Sequence, residues 1–279
     1  MKNEKKDRPY LQNIFLICII NNETRKVIDM NLEKAKDEFI KYTEKYDLKN
    51  ERIEAKQKHS IRVMNVSKHI AEKLNLSQED IDLATLIGLL HDIARFEQYT
   101  IFHTYKDVDS IDHGDLGAEI LRNDIRKYIE TNEYDEIIIK AVKNHNKFAI
   151  EEGLTEKENL HSQIIRDADK IDIFAQGLVR FWKGNEAEVE NSKLSEDIMQ
   201  QIKNHSQVIR KKGETPIDNV ISVIAFIFDL NFKSSFEIIK ENDYINKILD
   251  RYNLKDEKTR KEVEEIRKVA NAYVAQYTR

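Results

Sequence analysis

A chain of 279 residues can bury a substantial core, and its 7 glycines and 2 prolines are too few for the turns of a typical sheet protein. The net charge of −5 argues against binding along a nucleic-acid polymer, which needs a basic surface. Small phosphorylated ligands are not excluded, because a bound metal can supply positive charge locally. Cys18 is the only cysteine, which excludes a disulfide framework and a thiolate metal site and favours the reducing cytoplasm.

The first 29 residues differ in pattern from the rest and are predicted to be a short appendage, either a hairpin or an unstructured extension. The apolar run at residues 14–20 follows a basic start, as in a secretory signal peptide. It is at the short limit for that role, and no small-residue cleavage site follows it. This run and the apolar run at residues 220–228 are both too short to span a bilayer. We therefore expect a cytoplasmic protein with no membrane segment.

From residue 31 onward, the spacing of apolar residues predicts one helix after another. The second helix contains His59 and ends near Asn75. Ser77 is a suitable N-cap for the third, which continues into His91 and Asp92. Because the end of this third helix is apolar on all sides, it is predicted to be the central buried helix.

Residues 96–110 show no clear periodicity and are predicted to be a connection. Three further helices are expected, at about residues 113–128, 133–145 and 161–183. The charged stretch at residues 183–196 is predicted to be a hinge or loop. Thr215 and Pro216 are typical of a helix start, as N-cap and first helical position, for an apolar helix that reaches residue 230. Two more amphipathic helices are expected to complete the chain.

Seven polar residues stand out among apolar neighbours on the predicted helices: His59, His91, Asp92, His113, His145, Asp169 and Lys170. Charged groups are rarely buried without partners, because desolvation is costly. A metal ion removes that cost by binding carboxylates and neutral imidazoles. A lone histidine is weak evidence for such a site, and four others are interpreted as ordinary core or surface residues: His69, His103, His161 and His205.

Three segments carry a more specific pattern: His-Ser-Ile-Arg-Val at 59–63, Gly-Leu-Leu-His-Asp-Ile-Ala-Arg at 88–95, and Arg-Asp-Ala-Asp-Lys-Ile-Asp at 166–172. A histidine, then a His-Asp pair, then a distant aspartate on different helices resembles the HD-domain phosphohydrolase superfamily. The resemblance covers about residues 50–185. It implies an all-α fold with an HD-domain catalytic core at residues 30–185 and a helical C-terminal extension at residues 186–279.

The resemblance also implies metal ligands. A first metal would be bound by His59, His91, Asp92 and Asp169. A second, as in binuclear members of the superfamily, would be bound by Asp92, His113 and His145, with Asp92 bridging the two ions. Some binuclear subfamilies have two adjacent histidines where this chain has His145 and Asn146. The alternative is that His113 merely begins a helix and His145 binds substrate phosphate.

Nitrogen and oxygen ligands without sulfur suit Fe, Mn, Co, Ni or Zn and tolerate Mg, so one or two divalent ions are expected. The resemblance implies that a metal-activated water hydrolyses a phosphate ester or anhydride. Lys170, Arg62 and Arg95 are candidates to hold phosphate, and the alternative for each is an ordinary salt bridge. Asp172 shares a helix face with Asp169 and is a candidate to orient a histidine ligand.

The Asp-Ala-Asp-Lys-Ile-Asp run is similar to that of small bacterial nucleotide hydrolases, which favours a nucleotide as the substrate. A cyclic dinucleotide is less favoured, because the sequence lacks the Gly-Tyr-Pro signature of that branch. Two alternatives come from other classes: a diiron oxygenase of this fold, and a non-catalytic HD module. The apolar helix after Pro216 is expected to pack on the core and border the site, with a homodimer surface as the alternative.

Overall fold

The computed structural model describes residues 30–177, 185–209 and 213–279, and every regular element in them is helical. The all-α class predicted from the sequence is therefore confirmed. The predicted N-terminal appendage lies outside the described residues. The α-helices are α1 (Leu32–Thr43), α2 (Glu51–Lys73), α3 (Gln78–Leu90), α4 (Arg95–Phe102), α5 (His113–Asp124), α6 (Asp135–Asn144), α7 (Glu156–Gly177), α8 (Glu186–Asn191), α9 (Glu196–Lys203), α10 (Pro216–Ile224), α11 (Lys233–Glu241), α12 (Tyr244–Leu249) and α13 (Glu257–Tyr277).

Side-chain caps mark the predicted helix starts. The Ser77 side chain accepts a hydrogen bond from the Asp80 amide at the start of α3, which confirms the predicted N-cap. At α10, Thr215 and Asp218 form a reciprocal capping box with Pro216 at the first helical position. Each cap satisfies backbone amides that have no partner within the helix.

The prediction of a connection at residues 96–110 was wrong in part, because α4 occupies most of its first half. The buried residues of α4 are Phe96 and Gln98, two positions apart, so the segment lacks the three- and four-residue spacing that indicates a helix. The helix also begins without a side-chain cap and ends at His103, which has a left-handed backbone conformation.

The bounds of the later helices also differ from the predicted ones. Helix α7 begins at Glu156, earlier than predicted, and the rest of the predicted span beyond residue 177 lies outside the described residues. The stretch expected to be a hinge contains the short helix α8. The apolar helix ends at Ile224 and continues as a 3-10 helix to Asp229. Three α-helices follow it where two were expected, because Asp243 adopts a left-handed conformation and separates α11 from α12.

Helix α3 is the centre of the fold, as predicted. Every residue from Leu83 to Leu90 is buried, and the helix packs against α1, α2, α6 and α7. Gly88 lets α2 and α3 approach closely: a Cβ atom there would lie 2.9 Å from both the Met64 Cα and the Val63 carbonyl oxygen. This close contact brings the middle of α2 next to the end of α3.

The C-terminal helices α10, α11 and α12 all pack against α7, the expected surface. Charged groups on α7 face this contact. Asp229 lies 2.6 Å from Arg166 Nη2 and 2.7 Å from Lys170 Nζ, and Asp167 accepts hydrogen bonds from the Asn231 and Phe232 amides. Burial raises the pKa of Asp167 to about 6. The division into a core and an extension at residue 185 stays a prediction. Among the described residues, no helix has the length and apolar content needed to cross a membrane.

We predict that Asp229→Asn destabilises the fold, because Arg166 and Lys170 would remain buried as cations without a carboxylate partner. Breaking a buried ion pair costs about 3–5 kcal/mol, and the low end applies because the Asp229 side chain is 19% exposed. Urea denaturation measures the loss. The control is Glu237→Gln, which breaks the exposed Lys233–Glu237 pair and should leave the midpoint nearly unchanged. An Asp229→Asn midpoint equal to that of the wild type would contradict the prediction.

Candidate metal centre

Five helices bring the predicted histidines and aspartates into one cluster. One histidine lies on α2, and the adjacent His-Asp pair directly follows α3. Another histidine is the first residue of α5, a fourth directly follows α6, and the second aspartate lies on α7. The six residues are His59, His91, Asp92, His113, His145 and Asp169. The first five are buried, and the side chain of the sixth is 19% exposed. The structure therefore brings these six residues together, and their role as metal ligands stays a prediction.

Within the cluster, His59, His91 and Asp169 form a first group. The Nε2 atoms of the two histidines are 3.2 Å apart. Asp169 Oδ1 lies 3.0 Å from His59 Nε2 and 3.7 Å from His91 Nε2. These three potential ligand atoms all point into one small volume.

A second group faces the first across Asp92. His113 Nε2 and His145 Nε2 are 3.0 Å apart, and each lies 3.5 Å from Asp92 Oδ1. The other oxygen of Asp92, Oδ2, lies 3.5 Å from the Nε2 atoms of both His59 and His91. The two oxygens of one carboxylate therefore face two different pairs of histidines.

Local helix geometry orients two of the imidazoles. His91 Nδ1 donates to the Gly88 carbonyl at 2.8 Å, and His145 Nδ1 donates to the Val142 carbonyl at 2.6 Å. These carbonyls are free because α3 and α6 end just before the two histidines, and the last carbonyls of a helix have no partner within it. A carbonyl only accepts, so each Nδ1 carries the proton and each Nε2 presents a lone pair in the neutral ring.

Carboxylates orient the other two imidazoles. His59 Nδ1 lies 2.7 Å from Asp172 Oδ2, and His113 Nδ1 lies 2.6 Å from Asp107 Oδ2. A carboxylate accepts the Nδ1 proton, as the carbonyls do, and leaves Nε2 unprotonated in the neutral ring. All four histidines thus turn Nε2 towards Asp92 and hold Nδ1 in a hydrogen bond.

This arrangement is unfavourable unless a positive charge lies within it. Burial lowers the pKa of His91 to about 4 and that of His113 to about 3, so protons are disfavoured at both. At His59, burial and Lys56 lower the pKa, but the hydrogen bonds to Asp169 and Asp172 outweigh them and raise it. Neutral imidazole nitrogens beside carboxylate oxygens form a donor set that suits a divalent transition metal.

All three predicted phosphate-binding cations have carboxylate partners, and for two of them that partner lies outside the six clustered residues. Lys170 is buried with its ammonium 2.7 Å from Asp229, and burial, then the nearby Arg166, lower its pKa. Arg62 donates to both oxygens of Asp172 at 2.7 and 2.9 Å. These contacts match the salt-bridge alternative, and a role in phosphate binding stays a prediction.

The third, Arg95, lies at the edge of the cluster. Its Nε is 3.4 Å from Asp92 Oδ1. Its Nη1 donates to Gln98, to the Tyr105 carbonyl and to Asp107 at 2.6–3.1 Å. The guanidinium therefore places positive charge beside Asp92 while most of its contacts are to neighbouring protein groups.

Sequence reasoning missed Asp107. Besides His113 and Arg95, it accepts hydrogen bonds from Gln98 at 2.9 Å and from Asn146 at 3.0 Å. Burial raises its pKa, but His113 and the other donors outweigh burial and hold the pKa well below its ordinary value. No spacing signal marks this residue, because it lies in a 3-10 turn whose path depends on the tertiary fold.

Sequence reasoning also missed Lys56, whose ammonium lies 2.7 Å from Asp92 Oδ2. A signal was present here, since Lys56 precedes His59 by three residues and so shares its helix face. The start of this helix is rich in charged residues, so Lys56 was not distinguishable from residues on a solvated helix face.

Residues 57–173 match the sequence profile of the HD domain family. This part of the chain is an HD domain. The match contains all six clustered histidines and aspartates, and it confirms the resemblance found in the sequence. HD domains belong to a superfamily of mostly metal-dependent phosphohydrolases that also has non-catalytic members. No curated protein and no solved structure gives a significant match to the chain.

We predict that Asp107→Asn weakens metal binding by the group of Asp92, His113 and His145, because an amide replaces the carboxylate that accepts the His113 Nδ1 proton. Loss of such an orienting partner typically lowers metal affinity roughly 10- to 100-fold. A competition titration against a chelator measures the change. Asp109→Asn is the matched control, since Asp109 is exposed in the same turn. Equal affinity in Asp107→Asn and Asp109→Asn would contradict the prediction.

Proposed function

We propose that this HD domain hydrolyses a phosphate ester or anhydride with the help of one or two bound divalent metal ions. One observation carries the proposal: four imidazole Nε2 atoms and two carboxylates meet in a buried cluster while every Nδ1 is held in a hydrogen bond. That arrangement leaves lone pairs where a cation is needed, and polar groups are not buried this way without a partner.

The proposed assignment follows the two groups of the cluster. The first metal is bound by His59, His91, Asp92 and Asp169. The second is bound by Asp92, His113 and His145. Nitrogen and oxygen ligands lie about 2.0–2.2 Å from such an ion. Ligands of one ion are therefore separated by roughly 3 Å. The histidine nitrogens lie 3.0–3.7 Å from one another and from the carboxylate oxygens in the two groups, which supports the assignment.

Iron, manganese, cobalt, nickel or zinc suits this donor set, and magnesium is tolerated. Such an ion supplies Lewis acidity, which activates a water molecule and neutralises charge on phosphoryl oxygens. The chain itself holds the imidazoles of His59 and His113 in one tautomer through Asp172 and Asp107. Arg95 is the best placed of the three predicted cations to meet a phosphate, because its guanidinium adjoins Asp92. Arg62 then positions Asp172, and Lys170 joins α7 to the C-terminal helices.

The favoured substrate is a nucleotide, and the enzyme is proposed to act in the cytoplasm. The substrate proposal depends on the similarity of residues 167–172 to the corresponding run of small nucleotide hydrolases. A phosphate-release screen over nucleotides, on protein purified without chelator and analysed for metals, tests it directly. A homodimer is a further proposal for the apolar C-terminal helices.

A second candidate function deserves a parallel assay, because the same six ligands suit a diiron oxygenase of HD fold. Iron-loaded protein that consumes oxygen with a small substrate, and releases no phosphate from any nucleotide, would favour this reaction over hydrolysis. A metal-loaded protein inactive in both assays would favour a non-catalytic HD module.

We predict that chelation abolishes phosphate release and that adding Mn²⁺, Fe²⁺, Co²⁺ or Mg²⁺ restores it. Asp92→Ala should abolish the activity, and added metal ions should not restore it, because the substitution removes the one carboxylate that faces both histidine pairs. Thermal unfolding of the variant verifies that it remains folded. The proposal fails if elemental analysis finds no metal and none of these ions produces activity in the wild type.

The number of metals is a separate prediction. At saturating metal the wild type should bind about two ions, and His113→Ala or His145→Ala about one, following the logic of paired sites. His161→Ala is the matched control, because His161 is buried but hydrogen-bonds Asp80 at 3.2 Å instead of entering the cluster. A wild-type stoichiometry of one would contradict the second site.

A further inference from the structure

Lys56 is the cation beside the cluster whose hydrogen-bonding capacity the protein leaves largely unused. Its ammonium has three donors. Among the residues that the structure describes, it donates one hydrogen bond, 2.7 Å long, to Asp92 Oδ2. Its side chain is 19% exposed, and two of the three ammonium donors have no hydrogen-bond partner among these residues.

The other cations near the cluster have different main partners. Arg62 donates two hydrogen bonds to Asp172, and the Lys170 ammonium is buried against Asp229. Arg95 directs Nη1 to three acceptors of the protein. Lys56 is therefore the cation with spare donors that lies closest to Asp92, at 2.7 Å against 3.4 Å for Arg95.

Tyr105 holds this ammonium in place. The Lys56 Nζ lies 5.5 Å from the centre of the Tyr105 ring, and the Arg95 guanidinium carbon lies 5.6 Å from it. Both distances are within the range of cation–π attraction. The Tyr105 hydroxyl donates to the Arg52 carbonyl at 3.1 Å, which fixes the ring against α2. The ring thus keeps two cations side by side next to Asp92.

We propose, on the basis of the proposed function, that Lys56 binds a non-bridging oxygen of the substrate's phosphate group, with Tyr105 as its positioning residue. A lysine ammonium is a compact charge that suits a phosphate oxygen. It lies on the Oδ2 side of Asp92, the side of His59 and His91, so the phosphate is held against the first group. The simpler role would be to hold the Asp92 carboxylate in position as a metal ligand, and this role differs from phosphate binding in its effect on metal content.

The test uses the metal-loaded full chain and inorganic phosphate as the probe. In Lys56→Gln, the dissociation constant for phosphate should rise roughly 10- to 100-fold, the effect of one charge-assisted hydrogen bond. Metal content should not fall, because removing a cation beside Asp92 does not disfavour a bound metal ion. Lys58→Gln is the matched control: Lys58 lies on the same helix, is half exposed and pairs with Glu54. It should bind phosphate as the wild type does.

Tyr105 provides a second variant in case Lys56→Gln does not fold. Tyr105→Leu should weaken phosphate binding several-fold at unchanged metal content, because it removes the cation–π contact. Tyr105→Phe keeps the ring and loses only the hydrogen bond to the Arg52 carbonyl, so it should weaken phosphate binding less than Tyr105→Leu does.

Two results would overturn the inference. One is unchanged phosphate affinity in Lys56→Gln, or in Tyr105→Leu if the first variant does not fold. The other is loss of metal and phosphate together in Lys56→Gln, which would mean that Lys56 holds Asp92 in position for the metal and does not itself bind phosphate. Either result leaves the proposed function intact as long as the wild type hydrolyses its substrate. Failure of the proposed function is distinct: the metal-loaded wild type would neither bind phosphate nor release it from a nucleotide.

Discussion

Mutual repulsion of lone pairs around Asp92 is the constraint on which the rest of the structure depends. Pairs of imidazole nitrogens only 3.0 and 3.2 Å apart, beside carboxylates, repel one another in a buried site. The buried surface of α3 and its close contact with α2 at Gly88 hold these groups together against that repulsion. A bound cation turns the same geometry from repulsive to attractive. The helical packing therefore holds the ligands close together, and the proposed metal binding removes the repulsion that this closeness creates.

The chain orients its four imidazoles by two different means. His91 and His145 each follow the last residue of a helix and donate to a carbonyl three residues earlier, so their orientation is encoded locally. His59 relies on Asp172, which comes from α7, and His113 relies on Asp107, which comes from a 3-10 turn. Their orientation exists only once the tertiary structure has formed. The orientation of His91 and His145 is consequently robust to substitutions elsewhere in the chain, whereas the orientation of His59 and His113 is sensitive to them.

The same distinction explains what the sequence could predict. The six clustered residues and the helix start at Ser77 follow from local spacing or from a specific motif, and the structure brings them where they were expected. Helix α4 was missed because Phe96 and Gln98 are buried through contacts that its own periodicity does not show. Asp107 and the Asp229 partner of Lys170 were missed because their roles arise from segments that meet only in the fold. The roles of Arg62, Arg95 and Lys170 in phosphate binding remain predictions.

Helix α7 couples the cluster to the C-terminal helices, since charged residues on it face in both directions. Asp169 and Asp172 contact His59, while Asp167 and Lys170 contact the segment around Asp229. A chain truncated after α9 would leave Asp167 and Lys170 without these partners, and buried charges without partners are strongly destabilising. The C-terminal helices are thus part of what holds Asp169 in position. A role for them in substrate selection has to be sought with point substitutions that keep this contact, because deletion would disturb the metal ligands as well.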